Sequence, residues 1–225
     1  MQNHKLLLSL LATAALLGGC NTADLKTARR AAASGDTATA RATYAELAAY
    51  GIPEAQIELA MLTLQGKHTA AEGQAATAML EQAAVGNPAI SMKLGDIYEK
   101  GEAVPRNLKL AAKYYLQAFE LGSPKAAYKL GNAYMDMTGH DKEALEWLEK
   151  SRLAGEPKAA LRMGRLYAKR KDTSKALGYY LYAQSHGVDA SETIAKLKAK
   201  APAATIAAGE NFAKELSTGV SPQVN

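Results

Sequence analysis

Residues 88–122, PAISMKLGDIYEKGEAVPRNLKLAAKYYLQAFELG, decide the fold, because recognisable copies of this stretch lie on both sides of it. The copies open at Gly51-Ile52-Pro53, Gly86-Asn87-Pro88, Gly122-Ser123-Pro124 and Gly155-Glu156-Pro157, with a degenerate fifth at Gly187-Val188-Asp189. Their period, about 32 to 36 residues, lies in the range of helical repeat arrays.

Within each copy the same positions recur. Seven residues after each proline stands a small residue behind an apolar one: Leu59-Ala60, Leu94-Gly95, Leu130-Gly131 and Met163-Gly164. Three residues further on come Thr63, Tyr98, Tyr134 and Tyr167. Eleven residues before each closing glycine come Ala40, Ala75, Ala111, Ala144 and Ala176. Proline fits the first turn of a helix, where its missing N–H would be unpaired anyway, and glycine at positive φ ends the helix before it. Gly-x-Pro therefore reads as stop, turn, start. Glycine inside a helix costs roughly 1 kcal/mol relative to alanine. Repeated at one register, it predicts a close helix approach, with the recurrent alanine of the second helix as its counterpart. Leu94 with Tyr98, Leu130 with Tyr134, and Tyr115 with Phe119 are i, i+4 pairs that give each helix an apolar stripe. Each copy is expected to be an antiparallel helix pair, and the chain an all-α solenoid of such pairs.

Leu94-Gly95-Asp96-Ile97-Tyr98-Glu99-Lys100-Gly101, then Val104-Pro105, then Ala111-Ala112-Lys113-Tyr114-Tyr115, Ala118 and Gly122 resemble the Sel1-like repeats, a subclass of the tetratricopeptide superfamily. The resemblance covers about residues 25–187. Two copies depart from the pattern: 169–175 is a shortened loop without the usual glycine-valine turn, and Met79-Leu80 stand where tyrosines would.

At the start of the chain, a lone positive residue, Lys5, precedes the apolar run 6–17 and then Gly18-Gly19-Cys20. The run is too short to span a bilayer comfortably and has the shape of a signal peptide. Leu17-Gly18-Gly19-Cys20 resembles a bacterial lipobox, which implies a signal over 1–19, a palmitate-bearing lipid on Cys20 and a lipidated N-terminus over 20–22. The other reading is a plain secretory signal followed by an accidental cysteine; against it, Cys20 is the chain's only cysteine and stands at the expected place. Under the enteric sorting rule, Asn21 implies outer-membrane placement facing the periplasm. The remaining organisation reads as a capping helix pair over 23–51 that turns at Gly35-Asp36, repeats over 52–187, closing helices over 188–216 and a disordered tail over 217–225. No domain boundary is expected inside the array.

The net charge, +5, falls to +4 when Lys5 is subtracted from the 27 basic residues against 22 acidic ones. That charge is scattered, which excludes a concentrated nucleic-acid patch. His4, His68, His140 and His186 have no ligand-spaced partners, no phosphate-binding glycine loop or nucleophile elbow occurs, and neither metal nor cofactor is expected. The run Lys169-Arg170-Lys171-Asp172 reads as a solvated loop or, less readily, an anionic-polymer contact. Tyr114, Tyr115, Tyr179, Tyr180 and Tyr182 read as core or, less readily, as a sugar-stacking surface.

The resemblance implies that the first helix of each pair lines a concave face. Asp96, Glu99, Asn132, Met135 and Arg165 are then the expected partner-binding residues, acidic, then neutral, then basic along the array. The function expected is a non-catalytic scaffold for envelope proteins at the outer membrane. Residues 20–65 further resemble alginate-export scaffold lipoproteins of the AlgK type, in Ser34-Gly35-Asp36, Thr39-Ala40, Tyr44, Leu47-Ala48-Ala49 and Gly51. That resemblance implies exopolysaccharide export, with an outer-membrane porin or a polysaccharide-synthesis subunit as partner. Two alternatives stand beside it. One is a periplasmic regulator that binds a signalling receptor; the other is a β-lactam-binding or hydrolysing enzyme, whose Sel1-like examples carry a disulfide in each repeat that this chain lacks.

Overall fold

The computed structural model describes residues 24–218, so the signal, Cys20 and residues 219–225 lie outside the described residues. Within them the regular structure is entirely α-helical: α1 (24–33), α2 (Thr37–Ala49), α3 (Pro53–Gln65), α4 (Ala70–Ala83), α5 (Pro88–Lys100), α6 (Leu108–Glu120), α7 (Lys125–Met135), α8 (Asp141–Leu153), α9 (Pro157–Lys169), α10 (Thr173–Ser185), α11 (Ser191–Lys200) and α12 (Ala203–Ser217). No described helix is long and apolar enough to cross a membrane.

The Gly-x-Pro turns form as their chemistry dictates. Gly51, Gly86, Gly122, Gly155 and Gly187 all take positive φ, and proline opens α3, α5 and α9. The residue between the two caps the next helix: the Asn87 side chain accepts from the N–H groups of Ala89 and Ile90, and Glu156 accepts from that of Lys158. In the third copy Pro124 sits one position earlier, as the N-cap of α7, with no side-chain cap. The shortened loop before α10 has no glycine, and Lys171 takes the left-handed conformation itself, at φ 62°. Asp172 then caps α10 by accepting from the N–H of Lys175 at 3.0 Å.

The sequence reads as one uninterrupted array, whereas the structure divides between Val85 and Gly86 into two compact units. The division follows the copy with the least apolar bulk: α4 buries Gly73, Ala76, Thr77 and Leu80, where α6 buries Tyr114 and Tyr115. The first unit has a small core of Ala28, Ala40, Tyr44, Leu47 and Ala55. Arg41 closes the end of α3 there, reaching the Leu62 carbonyl and the Thr63 hydroxyl. In the second unit α5 to α10 follow one another as helix pairs, each helix against the next, and α12 closes the unit against α10.

The packing rule inside each pair corrects one expectation. The counterpart of the first-helix glycine is not the recurrent alanine but the large residue four positions after it. A Cβ on Gly95 would run into the Tyr115 ring, one on Gly131 would lie 2.7 Å from Leu148 Cγ, and one on Gly164 would lie 2.8 Å from Tyr180 Cε1. The alanine and its i+4 partner are buried together as Ala40 with Tyr44, Ala111 with Tyr115, Ala144 with Leu148 and Ala176 with Tyr180. In α4 the register slips by one residue: Ala75 is exposed, and Ala76 with Leu80 takes its place. Spacing counted back from Gly86 misses the slip because α4 stops three residues after Leu80 where its counterparts run five, and a turn one residue longer makes up only half of the difference.

Candidate functional site

The first helices α5, α7 and α9 set equivalent registers side by side. Four residues after each proline stand Met92, Tyr128 and Leu161; five residues after stand Lys93, Lys129 and Arg162. Along α7 the helical period gathers Lys125, Tyr128, Lys129, Asn132, Met135 and Asp136 onto one strip, and two cavities share its middle residues, Tyr128 and Lys129.

One cavity, about 430 Å³, lies at the start of α7 and is mainly apolar. Met92, Pro124 and the Tyr128 ring line it with Ala154 and Gly155 from the end of α8 and its turn. Lys125, Lys129 and Lys158 bring positive charge to its walls, and Glu156 the one carboxylate. The other, about 290 Å³, is polar and continues toward the end of α7 between Glu99 of α5, Asn132 and Met135 of α7, Asp136 just past its end, and Arg162 of α9.

A hydrogen-bonded network holds the polar cavity. The buried Tyr115 hydroxyl lies 2.8 Å from Asp96 Oδ1 and 2.7 Å from Glu99 Oε2, donating its proton to either. Burial first, and then these two carboxylate neighbours, push the Tyr115 phenol far above its ordinary value. Lys129 Nζ sits 2.9 Å from Asp96 and 3.5 Å from Glu99. Burial works to lower the Lys129 ammonium, but the hydrogen bonds and charges of the two carboxylates outweigh it and hold its pKa above the ordinary lysine value. Arg162 Nε donates to the Tyr128 hydroxyl at 3.3 Å. Asn132 is different: its Oδ1 is buried and has no hydrogen-bond partner among the described residues.

Of the residues expected to bind a partner, Glu99, Asn132 and Met135 line this cavity together. Asp96 stands behind it in the Tyr115–Lys129 network. Arg165 is exposed and is not among the lining residues; the basic residue from α9 is Arg162, three positions earlier. Tyr128, Lys129 and Arg162 escaped sequence reading because attention rested on the positions beside the tyrosine stripe. The basic residue that recurs five positions after Pro88, Pro124 and Pro157 was the signal available for Lys129 and Arg162. Cys20 lies outside the described residues.

The remaining candidates are engaged elsewhere. Tyr114, Tyr115, Tyr179 and Tyr180 are buried, and Tyr182 stacks on His186. Lys169 and Arg170 approach Asp141, at 3.2 and 4.0 Å, so the basic run is tied to the start of α8. His68 lies 2.9 Å from the Gly66 carbonyl, and His140 pairs with Glu143 at 3.1 Å. No group of three or more potential metal ligands occurs among the described residues.

No protein-family model matches the sequence, and no curated protein matches it. Solved structures do. A Sel1 repeat protein from Oxalobacter formigenes is 20% identical, with 87% of this chain and 88% of that chain covered and a TM-score of 0.51. Pseudomonas aeruginosa pilF is 19% identical, with 90% and 94% covered and a TM-score of 0.57. The c5321 protective antigen of uropathogenic Escherichia coli is 19% identical at a TM-score of 0.43, and this chain, 83% covered, spans only 52% of its length. At such identities the likeness speaks for the fold alone, and that fold is the all-α helix-pair solenoid of the Sel1-like and tetratricopeptide repeats.

Proposed function

We propose that this chain is a non-catalytic scaffold that holds a segment of a partner protein along α7. The observation that carries the reading is the Asn132 amide oxygen, a buried acceptor left without a donor in a cavity whose other polar side chains all have partners. Leaving such a group unsatisfied costs about 1–3 kcal/mol, which a donor from a bound chain recovers when the half-buried amide turns toward the cavity it lines. An amide that reads a backbone N–H, beside a cavity with an apolar floor, is a means of holding an extended peptide. The polar groups around it are spent on mutual pairing rather than set as a nucleophile and base.

The setting of this scaffold is the bacterial envelope. The lipobox-like Leu17-Gly18-Gly19-Cys20 supports a lipid anchor on Cys20, and Asn21 supports outer-membrane placement facing the periplasm. The likeness of 20–65 to alginate-export scaffolds supports a role in exopolysaccharide export, with an outer-membrane porin or a synthesis subunit as the partner. In-cell crosslinking of the lipidated protein followed by mass spectrometry tests the reading, with Asn132→Leu and Cys20→Ser variants alongside. Recovery of a porin or synthesis subunit that is lost with Asn132→Leu supports it. Recovery of a sensor protein instead replaces export with receptor regulation, and unchanged capture by Asn132→Leu removes the groove. Palmitate labelling that persists in Cys20→Ser removes the anchor.

A further inference from the structure

Charge along the α7 groove is not uniform. At the polar end Glu99 and Asp136 stand against Lys129 and Arg162, and the carboxylates are already engaged, Glu99 by Tyr115 and Lys129, and Asp136 by Arg106 at 2.9 Å. At the apolar end Lys129 is already paired with Asp96 and Glu99, which leaves Lys125 and Lys158 against the single carboxylate of Glu156, an excess of one positive charge. Glu156 is itself occupied in capping α9 through the N–H of Lys158. Lys125 and Lys158 are exposed and enter no ion pair among the described residues. Free ammonium groups beside an apolar floor of Met92, Pro124 and Tyr128 discriminate in favour of one kind of side-chain pair: a carboxylate next to an apolar residue.

We infer that the groove selects an acidic-apolar segment of a partner protein, in extended form, with a fixed placement. The inference rests on the scaffold reading above and names the partner chemistry for the same groove. The partner's Asp or Glu lies between Lys125 and Lys158, its neighbouring apolar side chain covers Met92 and Tyr128, and a backbone N–H further along donates to Asn132 Oδ1, the amide turning toward the groove to accept it. Lys125 and Asn132 are seven residues apart on α7, about 10 Å along a helix axis. An extended chain covers that distance in about three residues, which sets the spacing between the acidic side chain and the N–H held by Asn132. A basic segment is excluded from the lysine end by like-charge repulsion.

The test is selection of a random-peptide phage library on the full chain, with Lys125→Glu/Lys158→Glu and Asn132→Leu variants as parallel baits. Both lysines are exposed, so reversing them leaves the fold intact, and circular dichroism checks this. The expected result is enrichment of peptides with Asp or Glu beside a large apolar residue. Synthetic copies of them weaken by about tenfold or more on the double charge reversal, and also weaken on Asn132→Leu. Enriched peptides that depend on Asn132 but carry no acidic preference, or survive the charge reversal, overturn the acidic-apolar inference and leave the groove standing. Peptides indifferent to all three positions, or no enrichment over an unrelated bait, overturn the groove reading and this inference with it.

Discussion

Gly178 and Gly209 face each other where α10 crosses α12: a Cβ on Gly178 would lie 2.9 Å from the Gly209 carbonyl oxygen, and one on Gly209 would lie 2.9 Å from that of Ser174. Both obstacles are backbone, so neither yields by a side-chain rotation. This close approach lets Phe212 reach the Tyr179 ring, edge to face at 5.2 Å, and buries Leu216 against the α8–α10 core. The closing helix is thus seated by the absence of two side chains.

Gly209→Val is expected to push α12 off α10, costing on the order of 1–3 kcal/mol or more. The melting temperature should fall, and limited trypsin digestion should cut first at Lys214. A variant that melts with the parent and resists trypsin at Lys214 would show that the crossing can spread without cost.

The same logic applies inside a pair. Gly131→Leu forces a side chain into space that Leu148 fills, with Leu148 Cγ only 2.7 Å from the new Cβ, and is expected to cost on the order of 1–3 kcal/mol or more. Because the two nearest obstacles belong to one side chain, with the Leu148 backbone N next at 3.1 Å, Leu148→Ala in the same chain should restore part of the loss. Thermal unfolding of both single variants and the double variant measures the coupling. Simple additivity would place the strain elsewhere than between these two residues.

How far the sequence revealed this molecule can be judged at those glycines. Gly95, Gly131 and Gly164 were legible as contact points, because a helix-weakening residue repeated at one register has to serve packing. Their partners were not, since a recurring alanine draws attention while the residue four positions later alternates between tyrosine and leucine. The one-residue slip in α4, where Ala76 replaces Ala75, was hidden because spacing alone cannot see that α4 ends early. In the groove, Glu99, Asn132 and Met135 followed from register, while Arg162 did not, because whether Arg162 or Arg165 of α9 faces α7 depends on the angle between the helices.

The buried pair of Glu149 and Arg152 was not legible at all, since i, i+3 charges on a helix are usually solvated. Here the Arg152 side chain is only 2% exposed. Its Nε and Nη2 bond to the two Glu149 oxygens at 2.8 and 2.7 Å, and its Nη1 reaches the Leu216 carbonyl at 3.4 Å. Arg152→Met leaves the Glu149 carboxylate buried without its partner, an expected cost of about 3–5 kcal/mol. Glu149→Leu/Arg152→Met removes both charges and is expected to be more stable than Arg152→Met alone. Chemical denaturation compares them; a double variant no more stable than the single would mean that Arg152→Met costs stability through the lost hold on Leu216, not through an unbalanced Glu149.

Two fully buried tyrosines should answer oppositely to loss of the hydroxyl. Tyr115 donates to Asp96 or Glu99, so Tyr115→Phe is expected to cost about 1–2 kcal/mol. The Tyr179 hydroxyl has no partner among the described residues, and its ring stacks on Tyr167 at 5.4 Å, so Tyr179→Phe keeps the ring contacts and should be neutral or stabilising. Equal losses in the melting temperature of the two variants would refute the distinction.

Alkaline pH tests the tyrosine core as a whole. Burial, the leading cause in each case, raises the phenol of Tyr44, Tyr115, Tyr167, Tyr179 and Tyr180 above the ordinary value of 10.0. A pKa raised in the folded state means that the folded chain holds the proton more tightly than the unfolded one. The stability so gained is complete below the unfolded value and is lost as pH rises toward the folded one. Above pH 10.0 the unfolded chain releases these protons and the folded chain does not, so stability should decline there, with Tyr44 reporting on the first unit and the other four on the second. Tyrosinate absorbance from the five residues is expected to appear together with the loss of helical circular dichroism. Their ionisation with the helices intact would show that the rings are reached by solvent without unfolding, and the packing described for Gly95 against Tyr115 and Gly164 against Tyr180 would then be too tight a picture of the core.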